Sequence, residues 1–403
     1  MLGACHRQAD PPGDAPGGVA VAPGDGVAVV SWNQLPDLTY WIFFQAGSSV
    51  VPAVPGVPLI RTAQSPRVVA NVINGIQYAF VMNATHQDSP AGPASPVVLA
   101  TPRLAGATAT WVSGTPLGGV PLPNLNAVAF AFGGTRLVAV GDAGTLFAGD
   151  YNYTSANPPG VTAWTLPTLV PAGFTNLSAV MFTGAVFVAL ARDGSVSTSS
   201  DGLSWTSTPA IPSGAAVMSG LALGFFGAPV FVAVGSGGNI FTSTDSGTTW
   251  TQAVSNTPNN LNGVSFVGGI FIVTGAGGTL LTSPDGITWT PQTSNTLNAL
   301  RGAAFGLVAG QGLYVAVGDA GTIVTSSDAL AWGPVASPLS QNLRGVVFGS
   351  RFLAVGQGGA AAYSDDGVTW SPASAGSADL NAVIFTPAMY VAVGAFGANA
   401  VSR

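Results

Sequence analysis

The sequence contains no glutamate and no lysine, so its sixteen acidic residues are all aspartate and its ten basic residues are all arginine. Only 6% of the residues are charged, against about a quarter in ordinary soluble proteins. The missing glutamate cannot serve as a general acid or nucleophile, and without lysine no Schiff base can form. A formal charge of −6 with ten scattered arginines also excludes the clustered bases of a nucleic-acid-binding surface. We therefore expect no nucleic-acid partner.

Long apolar runs are missing as well, although 47% of the residues are hydrophobic. Glycine, asparagine or serine interrupts the apolar runs well before the roughly 20 residues that a transmembrane helix needs. The 55 glycines and 30 prolines, together with many threonines, serines and asparagines, predict strands and turns instead of helices. The sequence therefore predicts an all-β protein.

Cysteine and histidine are nearly absent. Cys5 is the only cysteine, so no disulfide can form within the chain and core packing must stabilise the fold. The two histidines, His6 and His86, lie in the N-terminal segment and in a loop of the first domain. Neither can join a zinc site or a catalytic triad in the rest of the chain. We expect no metal and no cofactor.

The N-terminal segment, residues 1–11, carries a short motif in which Cys5 follows Leu2, Gly3 and Ala4. This motif resembles the lipobox of bacterial lipoproteins, and a tether rich in Pro, Gly and Asp follows it, although the basic and apolar parts of a signal peptide are missing. The resemblance implies export, lipidation at Cys5 and membrane contact through that anchor alone. His6 in the next position favours the outer membrane or the cell surface. The alternative is an incidental free cysteine in a disordered tail.

Residues 12–103 predict a β-sandwich, because short alternating apolar runs are separated by turn signals. The runs lie at residues 27–32, 38–44, 78–84 and 96–102. Trp32 ends the first run, and Tyr78 begins the third run just after an Asn-Gly turn. In this order the runs resemble a fibronectin type III domain, with Tyr78 in the tyrosine-corner position and a Pro/Val-rich insertion at residues 47–58. The resemblance implies a spacer or a docking module.

Residues 104–403 are built from a sequence repeat, the strongest pattern in the chain. Each unit contains Leu-x-Gly/Ala-Val-x-Phe, Phe-Val-Ala-Val-Gly, Gly-Thr-Ile-x-Thr-Ser and a closing Asp-Gly-x-Thr-Trp-Thr. Units begin at Leu125, Leu177, a degenerate Gly220, Leu261, Leu300, Leu343 and Leu380. Units end at Trp111, Trp164, Trp205, Trp250, Trp289, Trp332 and Trp370.

These seven starts and seven ends predict a seven-bladed β-propeller, because units of about 40 residues with four strands form propeller blades. The first tryptophan precedes the first complete unit, and the last unit stops after three strands. We therefore expect residues 108–112 to supply the outer strand of the last blade, beside residues 399–402. This arrangement closes the ring without a covalent bond and hides the sheet edges.

Five tryptophans follow a Ser-x-Asp turn. The turns resemble the Asp-box, or BNR repeat, of sialidase-type, sortilin-type and photosystem-II-assembly-factor-type propellers, and this resemblance covers about 300 residues. In those families the box lies away from the functional face, so we interpret the five aspartates as structural: a carboxylate can accept backbone N–H groups within a tight turn. They are Asp201, Asp245, Asp285, Asp328 and Asp366.

Catalysis by a sialidase mechanism is excluded, because that mechanism needs a Tyr–Glu pair and the chain has no glutamate. An aspartate-dependent glycosidase needs two carboxylates roughly 5–9.5 Å apart. Asp142 and Asp319 are the candidates, each in a Val-Gly-Asp-Ala-Gly-Thr turn, but they belong to blades 1 and 5. Their separation is expected to be too large, so we predict no catalytic residues.

The predicted binding residues occupy two rings on the face opposite the Asp-box turns. One ring follows the first Leu of each unit, and the other occupies the turn between the second and third strands. Arg301, Arg344 and Asp319 are predicted to form a contact patch for an acidic or hydroxyl-rich partner, because a planar guanidinium favours bidentate contacts; the alternative is that these are solvated turn residues. The other predicted binding residues are Asp142, Arg192, Gln357, Asn126, Asn262 and Asn381.

Together these features predict a non-catalytic, exported lipoprotein that binds a partner protein or a glycan through one propeller face. Two alternatives remain open at this point. The first is a self-assembling component of an extracellular layer or filament, since few charges would need desolvation on packing. The second is an enzyme that acts on glycans through aspartates.

Overall fold

The structure is a computed structural model whose described residues belong almost wholly to β-strands and turns. It describes residues 14–23, 27–52, 57–62, 64–70, 72–73, 76–86, 90, 92–102, 111–113, 123–132, 134–152, 160–161, 164–166, 169–171, 175–349, 351–386 and 389–402. Contacts between residues divide the chain into two compact units. The first consists mainly of Met1–Ala107, and the second consists mainly of the residues from Thr108 onward. Among the described residues, no helix is long and apolar enough to span a membrane.

The first unit is a β-sandwich of two antiparallel sheets, with strand orders β1-β2-β5 and β4-β3-β6-β7. Tyr40 and Ile42 on β3 and Phe80 on β6 face a core that also contains Val30 and Trp32. Trp32 packs 5.0 Å from Tyr40 between ring centroids, as its place at the end of the first apolar run predicts. The strands are β1 (Ala20–Pro23), β2 (Val27–Ser31), β3 (Thr39–Ala46), β4 (Leu59–Thr62), β5 (Arg67–Ala70), β6 (Tyr78–Thr85) and β7 (Val98–Ala100).

Tyr78 begins β6 and accepts a hydrogen bond at its hydroxyl from the backbone N–H of Ile73, at 3.2 Å. This is the geometry of a tyrosine corner, in which the hydroxyl reaches back to the backbone a few residues upstream. The identification of the unit as a fibronectin type III domain stays a prediction, as does the boundary at residue 103.

The second unit is a β-propeller of seven antiparallel four-stranded sheets, numbered here as blades 1 to 7. After β8 (Trp111–Ser113), blade 1 has β9 (Leu125–Phe130), β10 (Arg136–Gly141), β11 (Leu146–Asn152) and β12 (Gly160–Val161). Blade 2 has β13 (Leu177–Phe182), β14 (Phe187–Ala191), β15 (Val196–Ser199) and β16 (Thr206–Thr208). Blade 3 has β17 (Met218–Phe225), β18 (Pro229–Gly235), β19 (Ile240–Ser243) and β20 (Thr251–Ala253).

The remaining blades follow the same order. Blade 4 has β21 (Leu261–Val267), β22 (Ile270–Gly275), β23 (Leu280–Ser283) and β24 (Thr290–Gln292). Blade 5 has β25 (Leu300–Val308), β26 (Gln311–Gly318), β27 (Ile323–Ser326) and β28 (Gly333–Val335). Blade 6 has β29 (Leu343–Phe348), β30 (Phe352–Gly356), β31 (Ala360–Ser364) and β32 (Ser371–Ser374). Blade 7 has β33 (Leu380–Phe385), β34 (Tyr390–Gly394) and β35 (Asn399–Ser402), with β8 as its outer strand.

Ring closure follows the sequence-based prediction. β35 pairs with β34 on its inner side and with β8 on its outer side, where Val401 lies opposite Val112. The first strands of neighbouring blades contact each other in chain order, and β33 contacts β9 to complete the ring. The N-terminal strand therefore closes the propeller, and residues 108–110 of the predicted segment lie outside the described residues.

The hydrophobic core lies between blades. One cluster joins Val138 and Val140 of blade 1 to Leu177, Ala189 and Trp205 of blade 2. The clusters between later blades repeat this plan, and Trp289, Trp332 and Trp370 occupy the same place in blades 4, 5 and 6. The second strand of each blade is buried on both faces, which explains its continuous apolar sequence of the Phe-Val-Ala-Val type.

Candidate functional site

The second residue of the first strand in each blade is the extra residue of a β-bulge. In blade 4, Leu261 pairs with Gly275 and Gly263 pairs with Thr274, so Asn262 has no partner in the ladder. The same shift recurs in all seven blades. A bulge bends its strand and redirects one side chain. In this propeller, it places one variable residue per blade at the channel.

These bulge residues line a cavity of about 250 Å³ at the mouth of the central channel. We call it the mouth cavity. Every blade contributes to it, and none of the described residues lines it with an aliphatic or aromatic side chain. The lining residues are Asn126, Ser178, Arg192, Ser219, Asn262, Arg301, Arg344 and Asn381.

The lining residue of blade 3 is Ser219, next to the degenerate Gly220 that stands near this place in the sequence repeat. Met218 replaces the leucine that begins the other units, and Met218 pairs with Gly235 as Leu261 pairs with Gly275. Ser219 also donates a hydrogen bond to the carbonyl of Leu261 in blade 4, at 2.5 Å.

The turns between the second and third strands lie on the same face as the mouth cavity. In blade 1, the N–H of Asp142 donates to the carbonyl of Asn124, which precedes the first strand, at 2.9 Å. Equivalent bonds tie the turn to the strand entry in the other six blades. The five Ser-x-Asp turns, those of Asp201, Asp245, Asp285, Asp328 and Asp366, join the third and fourth strands. Antiparallel pairing therefore places them at the opposite end of each blade. Arg301 and Arg344 are therefore on the face opposite Asp245, as predicted.

The predicted patch of Arg301, Arg344 and Asp319 is split in the structure. Arg301 donates to both oxygens of Asp319 through Nε and Nη2, within blade 5. Arg344 instead contacts Asp379 Oδ2 at 2.8 Å and Asn381 Oδ1 at 2.6 Å, both in blade 7. Asp319 is thus the carboxylate partner of Arg301 and not of Arg344. The pattern did not indicate Asp379, because it lies in the entry loop of the next blade.

Arg192 and Asp142 form a third, looser pair between blades 2 and 1. The Nη2 of Arg192 lies 3.9 Å from Asp142 Oδ1, beyond hydrogen-bonding distance. Asp142 is held instead by the side-chain amides of Asn124 at 3.0 Å and Asn126 at 2.8 Å. The arginine side chain is 48% exposed, the most exposed of the three guanidinium groups in the mouth cavity.

The asparagines of the mouth cavity also join neighbouring blades. Asn126 donates to the carbonyl of Leu177, and Asn262 donates to that of Leu300, each at 2.8 Å. Asn381 donates to the carbonyl of Leu125 at 2.8 Å, which joins blade 7 to blade 1. These amides therefore have a structural role in addition to lining the cavity. Gln357 is exposed in the turn of blade 6 and does not line the cavity.

The five Ser-x-Asp turns between the third and fourth strands, called Asp turns below, are each held by hydrogen bonds to the aspartate side chain. In the turn of blade 4, Asp285 Oδ1 accepts N–H groups from Ile287 and Thr288, each at 2.8 Å. The buried hydroxyl of Ser283 donates to the same oxygen and accepts the N–H of Gly286 at 2.8 Å. The turns of Asp201, Asp328 and Asp366 repeat the two contacts to backbone N–H groups. The turn of blade 3 is one residue longer, and Asp245 there accepts the N–H and the hydroxyl of Thr249.

These bonds lower the pKa of the turn aspartates. The hydroxyl and N–H of Thr249, followed by the Ser243 hydroxyl, lower the pKa of Asp245 to about 2. Burial acts to raise the pKa of Asp366, but N–H groups of Thr369 and Val368 outweigh it and lower the value to about 2. The carboxylates are thus engaged in holding the turn.

The remaining predicted sites are Cys5 and His6, which lie outside the described residues. Within the residues that the structure describes, no group of three or more His, Cys, Asp or Glu side chains is placed to hold a metal ion. His86 ring Nδ1 contacts the carbonyl of Asp37 at 3.0 Å in the first unit.

Comparison with known proteins supports the fold. The sequence matches no protein-family model and no curated protein. Among solved structures, YCF48 from Cyanidioschyzon merolae matches with a TM-score of 0.52 and 17% identity, over 73% of this chain and 98% of that chain. A structure of YCF48 bound to D1 peptide matches with a TM-score of 0.54 and 18% identity, over 73% of this chain and 94% of that one. The computationally designed Ika8 protein matches with a TM-score of 0.50 and 14% identity, over 72% of this chain and 98% of that one. At such low identity the likeness is one of fold, and it agrees with the propeller described above.

Proposed function

We propose that this protein is a non-catalytic binding protein whose propeller takes a segment of a partner protein at the mouth cavity. The observation that carries this proposal is the cavity itself, to which all seven blades contribute a polar side chain. The bulge that directs each of these side chains inward is repeated, while the residue that occupies it varies among Asn, Ser and Arg. Variation at one position of a regular scaffold is typical of a recognition surface.

A protein partner is favoured over a glycan. A propeller of similar fold, YCF48, has been solved bound to D1 peptide, and this likeness supports a peptide as the partner. Within the part of the chain that the structure describes, the lining of the mouth cavity has hydrogen-bonding and cationic groups but no aromatic ring on which a sugar could stack.

A catalytic role for Asp142 and Asp319 is disfavoured by their contacts. A glycosidase needs one carboxyl group as a proton donor and a second as a base or nucleophile. Asp142 accepts hydrogen bonds from two asparagine amides, and Asp319 accepts both from Arg301. Both carboxylates are thus engaged as acceptors in holding neighbouring side chains.

The lipid anchor remains part of the proposal. Lipidation at Cys5 would attach the protein to the outer membrane or cell surface, and the sandwich of the first unit, which resembles a fibronectin type III domain, would act as a spacer or docking module. The propeller would then be held near the membrane with its mouth cavity available to a partner.

Site-specific photo-crosslinking in the producing cells tests the proposal. A photoreactive benzoylphenylalanine replaces Gln357, which is exposed beside the mouth cavity, or Leu330, which is 60% exposed in an Asp turn at the opposite end. We expect a discrete adduct with another protein from position 357 and none from position 330. Ser178→Trp, which fills the cavity, should remove the adduct at an unchanged melting temperature.

Two results would contradict the proposal. Equal adducts from both positions would show that the mouth cavity has no special role. Adducts composed only of this chain would favour the self-assembling component instead.

A further inference from the structure

The charged side chains of the mouth cavity are arranged with one sign facing inward. Three guanidinium groups, those of Arg192, Arg301 and Arg344, line the cavity, and no carboxylate among the described residues does. Their aspartate partners belong to the surrounding turns and strand entries, not to the lining. A ligand group inside the cavity is therefore closer to the guanidinium groups than to their aspartate partners. Coulomb attraction between such groups and an anion is stronger where protein excludes part of the water.

Two of the three guanidinium groups are already engaged by short contacts. Arg301 forms two hydrogen bonds with Asp319, and Arg344 contacts both Asp379 and Asn381. Two simultaneous hydrogen bonds, whether to one carboxylate or to two neighbouring side chains, hold a guanidinium in a fixed orientation. Arg301 and Arg344 therefore contribute charge to the cavity, while each uses two of its five guanidinium N–H donors within the ring.

Arg192 differs from them in three respects. Its nearest carboxylate oxygen, on Asp142, is 3.9 Å away, and its side chain is the most exposed of the three. Asp142 also keeps the amides of Asn124 and Asn126 as donors if Arg192 moves. If Arg192 turns toward a ligand, the carboxylate of Asp142 therefore keeps its hydrogen bonds.

We propose that the mouth cavity binds one carboxylate group, with Arg192 as its main contact. This proposal rests on the proposed function and specifies the chemistry that the cavity recognises. The planar guanidinium offers two parallel N–H donors that match a carboxylate. A cavity of about 250 Å³ is below the roughly 300–1,000 Å³ of sites that hold whole ligands, so it fits a single side chain or chain end.

Acetate is the probe for the first experiment. The full chain is labelled with ¹⁵N-arginine, and the ten arginines give a spectrum of few Nε–Hε signals. Acetate is then added at constant ionic strength, because bulk salt screens exposed charges. We expect a saturable shift of the Arg192 signal. Arg192→Gln should abolish saturable binding, which corresponds to a loss of roughly tenfold or more in affinity.

The matched control is Arg136→Gln, which removes an arginine paired with Asp150 at 3.0 Å at the opposite end of blade 1. This variant should bind acetate as the parent does. The proposal is overturned if all arginine signals shift alike without saturation, if Arg301 or Arg344 alone responds, or if Arg192→Gln leaves the titration unchanged.

Three short peptides then identify the source of the carboxylate by competition with acetate. One ends in a free carboxylate, one carries an internal aspartate and an amidated end, and one is amidated and uncharged. Competition by either acidic peptide assigns the cavity to a chain end or to an acidic side chain, and competition by the uncharged peptide overturns the proposal. Acetate binding without competition by any peptide supports a carboxylate site for a small free acid.

The outcome is separable from that of the proposed function. Loss of the crosslinked adduct in Ser178→Trp, with no acetate binding, would leave a partner-binding mouth that does not recognise carboxylates. Acetate binding to Arg192, without any adduct from position 357, would support the carboxylate site and contradict the binding of a partner protein.

Discussion

The turn between the second and third strands depends on a glycine at its third position. In blade 4, Gly278 has φ of +72°, and a Cβ added there would lie 1.9 Å from the carbonyl oxygen of Thr296. The preceding residue, Gly277, also has a positive φ of +61°, but an added Cβ would meet nothing closer than 3.6 Å. Ala143 and Ala320 occupy this second position in blades 1 and 5 with φ of 54°. The two positions therefore share a backbone conformation and differ in available space.

This difference gives a matched pair of variants. Gly278→Ala should lower the free energy of unfolding by at least about 2 kcal/mol, because the turn must shift away from the Thr296 carbonyl. Gly277→Ala should cost about 1 kcal/mol or less, since alanine is native at the equivalent positions. Urea unfolding of both variants measures the difference. Equal losses would show that the close approach to Thr296 is unimportant.

The Asp turns make the stability of the propeller sensitive to acid. Asp245 and Asp366 have pKa values of about 2 in the folded protein, against 3.8 for an unperturbed aspartate side chain. A carboxylate with a lowered folded pKa stabilises the fold above its unfolded pKa, and this contribution disappears as the pH falls through the folded value. We therefore expect the melting temperature to fall between about pH 4 and pH 2.

Asp245→Asn tests the assignment of this acid sensitivity. Asparagine keeps one oxygen for the Thr249 N–H but has no carboxyl group to titrate. The variant should have a lower melting temperature than the parent at pH 7. Its melting temperature should then fall less than that of the parent between pH 4 and pH 2. If the melting temperature of the variant falls with pH as steeply as that of the parent, other carboxyl groups cause the loss of stability in acid.

At the scale of strands, the propeller is held by pairing within blades and by packing between them. The only blade assembled from distant segments is blade 7, in which β8 completes a sheet whose other strands lie at the end of the chain. β8 is short, with three paired positions against β35. An unpaired β35 would expose a strand edge that could pair with other chains.

Removing β8 is therefore expected to weaken the whole ring. Deletion of residues 104–116 should lower the melting temperature sharply or cause aggregation. A Gly/Ser segment of the same length in place of these residues should have the same effect, which would show that the strand and not the spacing matters. Calorimetry and light scattering measure both outcomes. A deletion variant that melts like the parent would contradict the closure seen in the structure.

Strand order and ring closure could be predicted from the sequence because the repeat marks the same position in every blade. The bulge residues Asn126 and Asn262 were found in this way. Ser219 was missed because Met218 breaks the pattern in blade 3. The partner of Arg344 was missed for a different reason: Asp379 is 35 residues away and becomes a neighbour only when blades 6 and 7 pack together. Contacts between blades are set by tertiary packing, which a single repeat unit does not contain.

At the scale of the molecule, charge differs between the two ends of the propeller. Among the described residues, the end with the Asp turns has seven carboxylates and two arginines, an excess of five negative charges. At the mouth end, four carboxylates face three arginines, and the arginines line the cavity. Self-association through the Asp-turn ends would bring like charges together. This asymmetry favours the mouth as the end that meets a partner.

The anchoring of the molecule is tested at Cys5, which lies outside the described residues. Expressed behind a complete signal peptide, the protein should incorporate labelled palmitate and partition into detergent, because we propose that the lipobox-like motif directs lipidation of Cys5. Cys5→Ser should abolish both, since serine supplies no thiol for the thioether. The variant should keep the melting temperature of the propeller, which serves as the control for folding. Release of the unsubstituted protein into the medium in soluble form would contradict the anchor and leave the mouth cavity to act on partners away from the membrane.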